Sequence, residues 1–84
     1  MEAPLEFGRS SDGQTIRPGM TVFVICRTGY RVSIEHRVIG KVFDKKIEYD
    51  KPDEDGYIGA RIKGTVFCDG NHAHAEIDRI VREN

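Results

Sequence analysis

A Pro-Gly step followed by an alternating apolar run is the feature that most restricts how this chain can fold. Pro18 fixes its own φ and has no N–H to donate, and Gly19 permits a turn, so regular strand pairing is expected from Met20 onward. The two-residue period of a strand then places alternate side chains on opposite faces. One face carries Met20, Val22, Val24 and Cys26. The segment therefore predicts one β-strand of a small barrel.

The remainder of the chain has the pattern of short strands separated by turns. Alternation continues from residue 32 to residue 43, a length that requires a bend, and Gly40 is the expected place for it. The further strands predicted in this way cover residues 47–49, 57–63 and 65–68. The acidic segment 50–56 contains a proline and ends in a glycine, so it is expected to join two strands as a hairpin.

The C-terminal residues fit two different structures. Ala73, Ile77 and Ile80 recur at helical spacing, and Asn71 is a candidate N-cap for a helix. The alternative is a single helical turn over 73–77 followed by a short closing strand over 79–82. The sequence gives these two interpretations nearly equal support.

The long alternating segment also predicts which side chains face the interior. One parity holds Val32, Ile34, His36, Val38 and Val42 and is expected to point inward. The other parity is polar except for Ile39 and Phe43. Apolar side chains on an otherwise polar strand face are suited to a subunit contact. Ile39 and Phe43 are therefore predicted interface residues, and the chain is expected to form a homo-oligomer.

Length and charge limit the chain to one small domain. Its 84 residues, 38% of them hydrophobic, allow one modest core. Its 13 basic and 14 acidic residues leave a net charge of −1, so no global field draws it to nucleic acid or to a membrane. No secretory signal or membrane-spanning run is recognisable, so a cytoplasmic protein is expected. Residues 1–13 are expected to form a loosely ordered arm before a single barrel domain over 14–84.

The Pro-Gly-Met entry at Pro18, the bend at Gly40, the acidic hairpin 50–56 and the helical segment near the end together resemble the small SH3-like barrels. The resemblance covers residues 12–82 and implies a mainly all-β fold, a five-stranded antiparallel barrel with a short helical segment near the C-terminus. Modules of this kind are carried by phages and mobile elements. The layout is also similar to the plasmid-type dihydrofolate reductases, but their Val-Gln-Ile-Tyr run has no counterpart at 65–68, so no reductase residue is transferred.

Cys68, His72 and His74 are candidate metal ligands. Zinc accepts thiolate and imidazole, and a His-x-His pair on a strand would place both rings on one face. His36 is the best-placed further ligand. Structural zinc sites draw their ligands in two spaced pairs, however, and Cys26 has no companion. Solvated histidines in a turn are the favoured interpretation, and no cofactor is predicted.

A basic and aromatic cluster is predicted around the first turn, formed by Arg27, Tyr30, Arg31 and Arg37. Small barrels bind single-stranded nucleic acid by stacking bases on aromatic rings beside a cationic groove. The near-neutral net charge opposes strong binding, because phosphate contacts supply most of the nonspecific affinity. A second aromatic hypothesis is a cage formed by Tyr49 and Tyr57 flanking Asp53 and Asp55, which would hold a methylated ammonium group if the two rings converge.

The pattern as a whole favours a non-enzymatic function. No nucleophile accompanies His36 at an informative spacing, so acid-base catalysis has little support. We therefore expect a small binding or interaction module that self-associates and has a protein partner. Two alternatives stay open. One is a nucleic-acid accessory protein that uses the cluster around the first turn; the other is an enzyme whose active site forms only between subunits, with His36 or the His72 and His74 pair at the contact.

Overall fold

The chain folds into a curled antiparallel sheet backed by one helix; the computed structural model describes residues 3–29, 31–54 and 56–83. The elements of this part of the chain are β1 Gly8–Arg9, β2 Thr15–Ile16, β3 Thr21–Thr28, β4 Arg31–Val42, β5 Lys46–Tyr49, β6 Gly59–Arg61, β7 Val66–Phe67 and α1 Gly70–Glu83. β1 pairs with β2, and the other strands form a five-stranded sheet in the order β6-β5-β4-β3-β7. The sheet curls into a half-barrel, which confirms the predicted mainly-β class.

Both faces of β3 are covered, because its alternate side chains enter two separate cores. Val22 and Val24 point into the half-barrel, whereas Phe23 and Ile25 face α1. The barrel core consists of Ile16, Val22, Val24, Ile39, Val42, Ile47, Ile62 and Val66. The smaller helix core consists of Ile25, Phe67, Ala73 and Ile80. The β3–β4 hairpin is therefore the central layer between the barrel core and α1.

The bend predicted at Gly40 is a β-bulge. The register between β4 and β5 shifts between Ile39 and Lys41. One extra residue reverses the alternation of the strand, so Ile39 and Val42 enter the barrel core while Val38 is 42% exposed. A Cβ atom at Gly40 would lie 3.0 Å from the carbonyl oxygen of Tyr49, so the close approach of the two strands favours glycine here.

The prediction that Ile39 and Phe43 face outward is wrong. Ile39 is 1% exposed and Phe43 is 7% exposed. The prediction took the polar parity of β4 as the solvent side, but Glu35 and Arg37 pair with Val24 and Val22 on the half-barrel side of the sheet. Ile39 shares their parity and therefore enters the barrel core. Phe43 lies beyond the end of β4, with the Lys46 ammonium 5.1 Å from the centre of its ring. Both side chains belong to the interior of this chain, so they do not form an exposed surface for a subunit contact.

Residues 5–13 are part of the fold, contrary to the expectation of a loosely ordered arm. The N–H of Leu5 donates to the carbonyl of Val42 at 2.7 Å, and the N–H of Ser11 donates to the carbonyl of Val66 at 2.8 Å. β1 also pairs with β2. Serine and glycine content suggested disorder, but backbone bonds to distant strands hold this segment in place. Its bond to Val66 covers the outer edge of β7.

The carboxylate of Asp12 joins this N-terminal segment to the start of α1. The side chain is 3% exposed, and one oxygen accepts the backbone N–H groups of Cys68 at 3.2 Å and Asp69 at 3.1 Å. Nδ1 of His72 lies 3.1 Å from the same oxygen, and the Ser10 hydroxyl donates to the other. Burial raises the pKa of Asp12, but these hydrogen bonds outweigh it and lower the pKa below its ordinary value. The ionised carboxylate therefore stabilises the fold.

The C-terminal segment forms one helix, which decides between the two predicted structures. In α1, Ala73 and Ile80 are buried and Ile77 packs against the same helix core, as helical periodicity requires. The N-cap is Asp69 rather than the predicted Asn71. Its Oδ1 accepts the N–H of Asn71 at 2.8 Å, which satisfies one of the free donors at the helix start.

Candidate binding site

The half-barrel is open between β6 and the end of β3 around Arg27, a gap that we call the seam. In an antiparallel strand, alternate residues direct both backbone groups to the same side. On the β6 side, the carbonyl of Ile58 accepts from Tyr49 at 2.7 Å, and the N–H of Ile62 donates to Lys45 at 2.9 Å. Alternation therefore directs the backbone groups of Gly59 and Arg61 away from β5 and into the seam.

β3 contributes backbone groups from the opposite side of the seam. The N–H of Ile25 donates to the carbonyl of Thr65 at 2.9 Å, so Arg27, two residues later, points the same way. Pairing on this side does not continue to Arg27, because the chain turns at Gly64, where φ is +76°. Backbone donors and acceptors of β3 and β6 thus face each other across the seam.

A cleft of 160 Å³ occupies the seam. Cys26 and Tyr49 line it from the half-barrel, and Asp53 and Tyr57 line it from the acidic hairpin. Tyr57 is 66% exposed. Tyr49 and Tyr57 therefore border one cleft, and the cage for a methylated ammonium group stays a prediction, with Asp55 outside the described residues. The cleft combines aromatic and apolar walls with backbone hydrogen-bonding groups.

A half-buried polar cluster lies on the half-barrel side of the cleft. The Cys26 thiol donates to Oε2 of Glu35 at 3.4 Å, and Glu35 also pairs with Arg37. Burial, together with Glu35, raises the pKa of Cys26 to about 11. Burial, with smaller effects from Cys26 and Asp53, raises the pKa of Tyr49 to about 12. Both groups stay protonated at neutral pH, so Cys26 lacks the thiolate that a nucleophile requires.

A second cleft of 440 Å³ adjoins the seam on the side of α1. Ile25, Arg27 and Thr65 line both clefts, so the two clefts lie side by side. Four cationic side chains line the second one, which we call the basic cleft: Arg27 of β3, Arg61 of β6, Lys63 of the following turn and Arg79 of α1. Its carboxylate, Glu76, pairs with Arg79, and this hydrogen bond lowers the pKa of Glu76.

The residues of the predicted nucleic-acid cluster do not form one surface. Arg27 lies on the α1 side of the sheet, with Ile25, whereas Arg37 lies on the half-barrel side beside Glu35. Strand alternation separates them, because Arg37 pairs in register with Val22, whose side chain enters the barrel core. Arg31 is exposed at the start of β4, and Tyr30 lies outside the described residues.

The predicted metal ligands do not converge either. His72 and His74 lie on α1 instead of a strand, which turns their side chains about 200° apart. His72 contacts Asp12, and Cys68 is half-buried against the barrel core. Burial raises the pKa of the Cys68 thiol. Across the described ranges, no three His, Cys, Asp or Glu side chains are grouped to hold a metal ion.

His36 does not face the interior as predicted. It is exposed on β4, with its ring edge-on to that of Phe23 at a centroid distance of 4.8 Å. His36 shares the α1 side of β4 with Val32 and Ile34, which pack against the helix core, but its own side chain is exposed. The hypothesis of an active site formed between subunits stays a prediction.

Arg61, Lys63 and Arg79 were not among the predicted site residues. Arg61 and Lys63 share one parity, which was visible in the sequence. Their approach to Arg27 and Arg79 depends on the curl of the sheet and the position of α1, and neither feature has a local sequence signal. This basic cleft is therefore a feature that only the folded chain reveals.

Comparisons with protein-family models, curated proteins and solved structures found no match for this chain. Within the part of the chain that the structure describes, no helix is both long and apolar enough to cross a membrane. The chemistry of the seam and of the basic cleft is thus what indicates a function.

Proposed function

We propose that this chain is a non-catalytic binding module of the SH3-like barrel type, which takes an extended polypeptide segment of a partner protein into the seam as an added strand. One observation carries the proposal. Arg27 on one side and Gly59 on the other line the same cleft and direct their backbone groups toward it, and Arg61 shares the parity of Gly59, so its backbone groups also point away from β5. An added strand uses its own backbone to bond such groups.

The contrast between the two outer strands supports this assignment. Proteins usually cover or shorten strand edges, because a free edge pairs with other chains. The edge of β7 is covered by the N-terminal segment, through the bond from Ser11 to Val66. At β6, no such cover exists among the described residues, and the neighbouring Ile58 is 62% exposed. An inserted segment would cover both the backbone edge and this apolar side chain.

Charge favours a partner protein over a second copy of this chain. Pairing of two β6 edges around a two-fold axis would bring Arg61 and Lys63 close to their own copies. Like charges on adjoining strands are destabilising. The predicted self-association, the cytoplasmic location and the origin in a mobile element stay predictions.

The test is a random peptide library displayed on phage and selected on the wild-type chain. Arg61→Pro removes the N–H that faces the seam, whereas Arg61→Ala removes the same side chain and keeps that N–H. We expect the selected peptides to bind Arg61→Pro about ten-fold more weakly than Arg61→Ala, because one hydrogen bond is lost and the edge is blocked. Equal binding to the two variants, or no selected peptide at all, would contradict the proposal.

Circular dichroism controls for folding, since both variants must keep the wild-type spectrum. Light scattering at high protein concentration tests the alternative occupant. A dimer that Arg61→Pro dissociates and Arg61→Ala does not would assign the seam to a second copy of the chain, and would overturn the assignment to a partner protein.

A further inference from the structure

Building on the proposed function, we propose that the basic cleft binds carboxylate side chains of the inserted segment, so that the partner is an acidic strand in which acidic and apolar residues alternate. The basic cleft adjoins the seam through three residues that line both, Ile25, Arg27 and Thr65. A strand in the seam therefore places part of its length beside the cations. The cations of the basic cleft would therefore select an acidic partner strand over a neutral or basic one.

Four separate elements supply the cations, and the fold brings them to one place. Arg27 comes from β3, Arg61 from β6, Lys63 from the turn after it and Arg79 from α1. The whole chain has a net charge of −1. A cleft with four cations and one carboxylate is therefore a local exception to the charge of the chain, and such a cleft attracts an anion.

The carboxylate in the basic cleft is already engaged. Glu76 accepts from Arg79, whose guanidinium also bonds Glu83 at 2.9 Å. Arg61 and Lys63 form no ion pair within residues 3–29, 31–54 and 56–83. The two cations nearest the β6 edge are thus those that an incoming carboxylate can pair with.

Because side chains of a strand alternate between two faces, the charge of the basic cleft predicts the sequence pattern of the bound peptide. The side chain of Arg27 lies on the α1 side of the sheet, the side of the basic cleft. Cys26 and Tyr49 line the seam from the other side, where the surface continues into the barrel core. Alternate side chains of an added strand would face these two surfaces in turn. Acidic residues would face the basic cleft, and apolar residues would face the half-barrel.

A nucleic-acid strand is the other anionic ligand to consider. Its phosphates suit the basic cleft, but a phosphodiester backbone does not have the regular N–H and C=O groups that match those of Gly59, Arg61 and Arg27. The seam and the basic cleft together therefore fit a peptide better than a nucleic acid.

Three acetylated and amidated hexapeptides test the inference: (Glu-Val)3, (Gln-Val)3 and (Lys-Val)3, titrated into the isotope-labelled chain and followed by NMR. At low salt we expect (Glu-Val)3 to bind about ten-fold more tightly than (Gln-Val)3, since a few exposed ion pairs contribute modestly. The (Lys-Val)3 peptide is expected to bind more weakly than either. The preference for the acidic peptide should shrink at about 0.3 M salt, because exposed charges are screened.

The variant Arg61→Gln with Lys63→Gln should reduce the preference for (Glu-Val)3 over (Gln-Val)3 to less than about two-fold, whatever its effect on the affinity for (Gln-Val)3 itself. The matched control is Lys41→Gln with Lys45→Gln, which removes two exposed charges away from the cleft and should keep the preference. Equal binding of the acidic and neutral peptides by the wild-type chain would overturn the inference and leave the proposed function standing. Binding of none of the three would contradict the proposed function itself.

An oligothymidylate of matched charge completes the set. If it binds more tightly than (Glu-Val)3 and shifts the same resonances of Arg61 and Lys63, the basic cleft is a nucleic-acid site and the inference is wrong. Weaker binding of the oligothymidylate supports the assignment to an acidic peptide.

Discussion

The two outer strands of the sheet differ in whether another part of the chain covers their free edge. At β7, the N-terminal segment covers the edge, and Asp12 accepts hydrogen bonds from the backbone of residues 68 and 69. At β6, backbone groups face an open cleft, and cations outnumber carboxylates beside it. The first edge, which we call the closed edge, has its polar groups bonded within the chain. At the second edge, which we call the open edge, the backbone groups of Gly59 and Arg61 face the seam, where the proposed peptide would bond them.

Under the proposed function, one edge of this chain of 84 residues contributes to stability and the other edge binds the partner. A domain of this size has a small core and depends on every well-made polar contact. The buried carboxylate at the closed edge is such a contact. At the open edge, exposed charges contribute little to folding, so this region is available for recognition.

The largest effect is expected at the closed edge. Asp12→Ala leaves the N–H groups of Cys68 and Asp69 without their acceptor, and we expect it to lower the free energy of unfolding by about 3 kcal/mol. Urea denaturation followed by circular dichroism measures the change. Asp78→Ala removes an exposed carboxylate from α1 and should cost less than about 0.5 kcal/mol. Similar losses in the two variants would contradict the stabilising role of Asp12.

Acid should weaken the closed edge next. The pKa of Asp12 is lower in the folded chain than in the unfolded chain, so its stabilising contribution is present above the unfolded pKa. That contribution is lost as the pH falls through the folded pKa. We expect Asp12→Asn to reduce the acid dependence of the free energy of unfolding, because the side chain at this position no longer titrates. If the free energy of unfolding of Asp12→Asn falls with acid as steeply as that of the wild type, then groups other than Asp12 control the acid dependence.

Much of the sheet was predictable, because β3 and β4 have long alternating patterns and Gly40 is placed at the bend. The closed edge was not, since β1 and β2 have two residues each and give no recognisable period. Asp12 looked like an ordinary turn residue. The backbone donors at Cys68 and Asp69 lie more than fifty positions from Asp12, and only folding brings them near.

The same reasoning explains the errors at the candidate site. The parity of β4 that faces the half-barrel carries Glu35 and Arg37, and a polar pattern of this kind predicts solvent exposure, so Ile39 was placed outside. His36 shares the face of Ile34, which packs against the helix core, but its own side chain is exposed. The cluster around the first turn was assembled from residues close in sequence, and alternation distributes Arg27 and Arg37 over opposite faces. Among the predicted site residues that the structure describes, Arg27 alone lies at the basic cleft.

The smallest effect on stability is expected at the open edge. A small effect there, set against the large one at Asp12, is the clearest test of the difference between the two edges. Lys63→Glu places a carboxylate in the basic cleft near Arg61, and we expect the free energy of unfolding to change by less than about 0.5 kcal/mol, with a slight gain favoured because like charges are relieved. The same change should abolish the preference for (Glu-Val)3, since the new carboxylate competes for the cations. Urea denaturation and the NMR titration on one sample measure both quantities. A large loss of stability would mean that Lys63 belongs to the folding contacts, and the division between a closed edge for stability and an open edge for binding would fail. If Lys63→Glu leaves the free energy of unfolding unchanged and abolishes the preference for (Glu-Val)3, then Lys63 contributes to ligand binding and not to folding. The polar groups that contribute to folding would then lie at the closed edge.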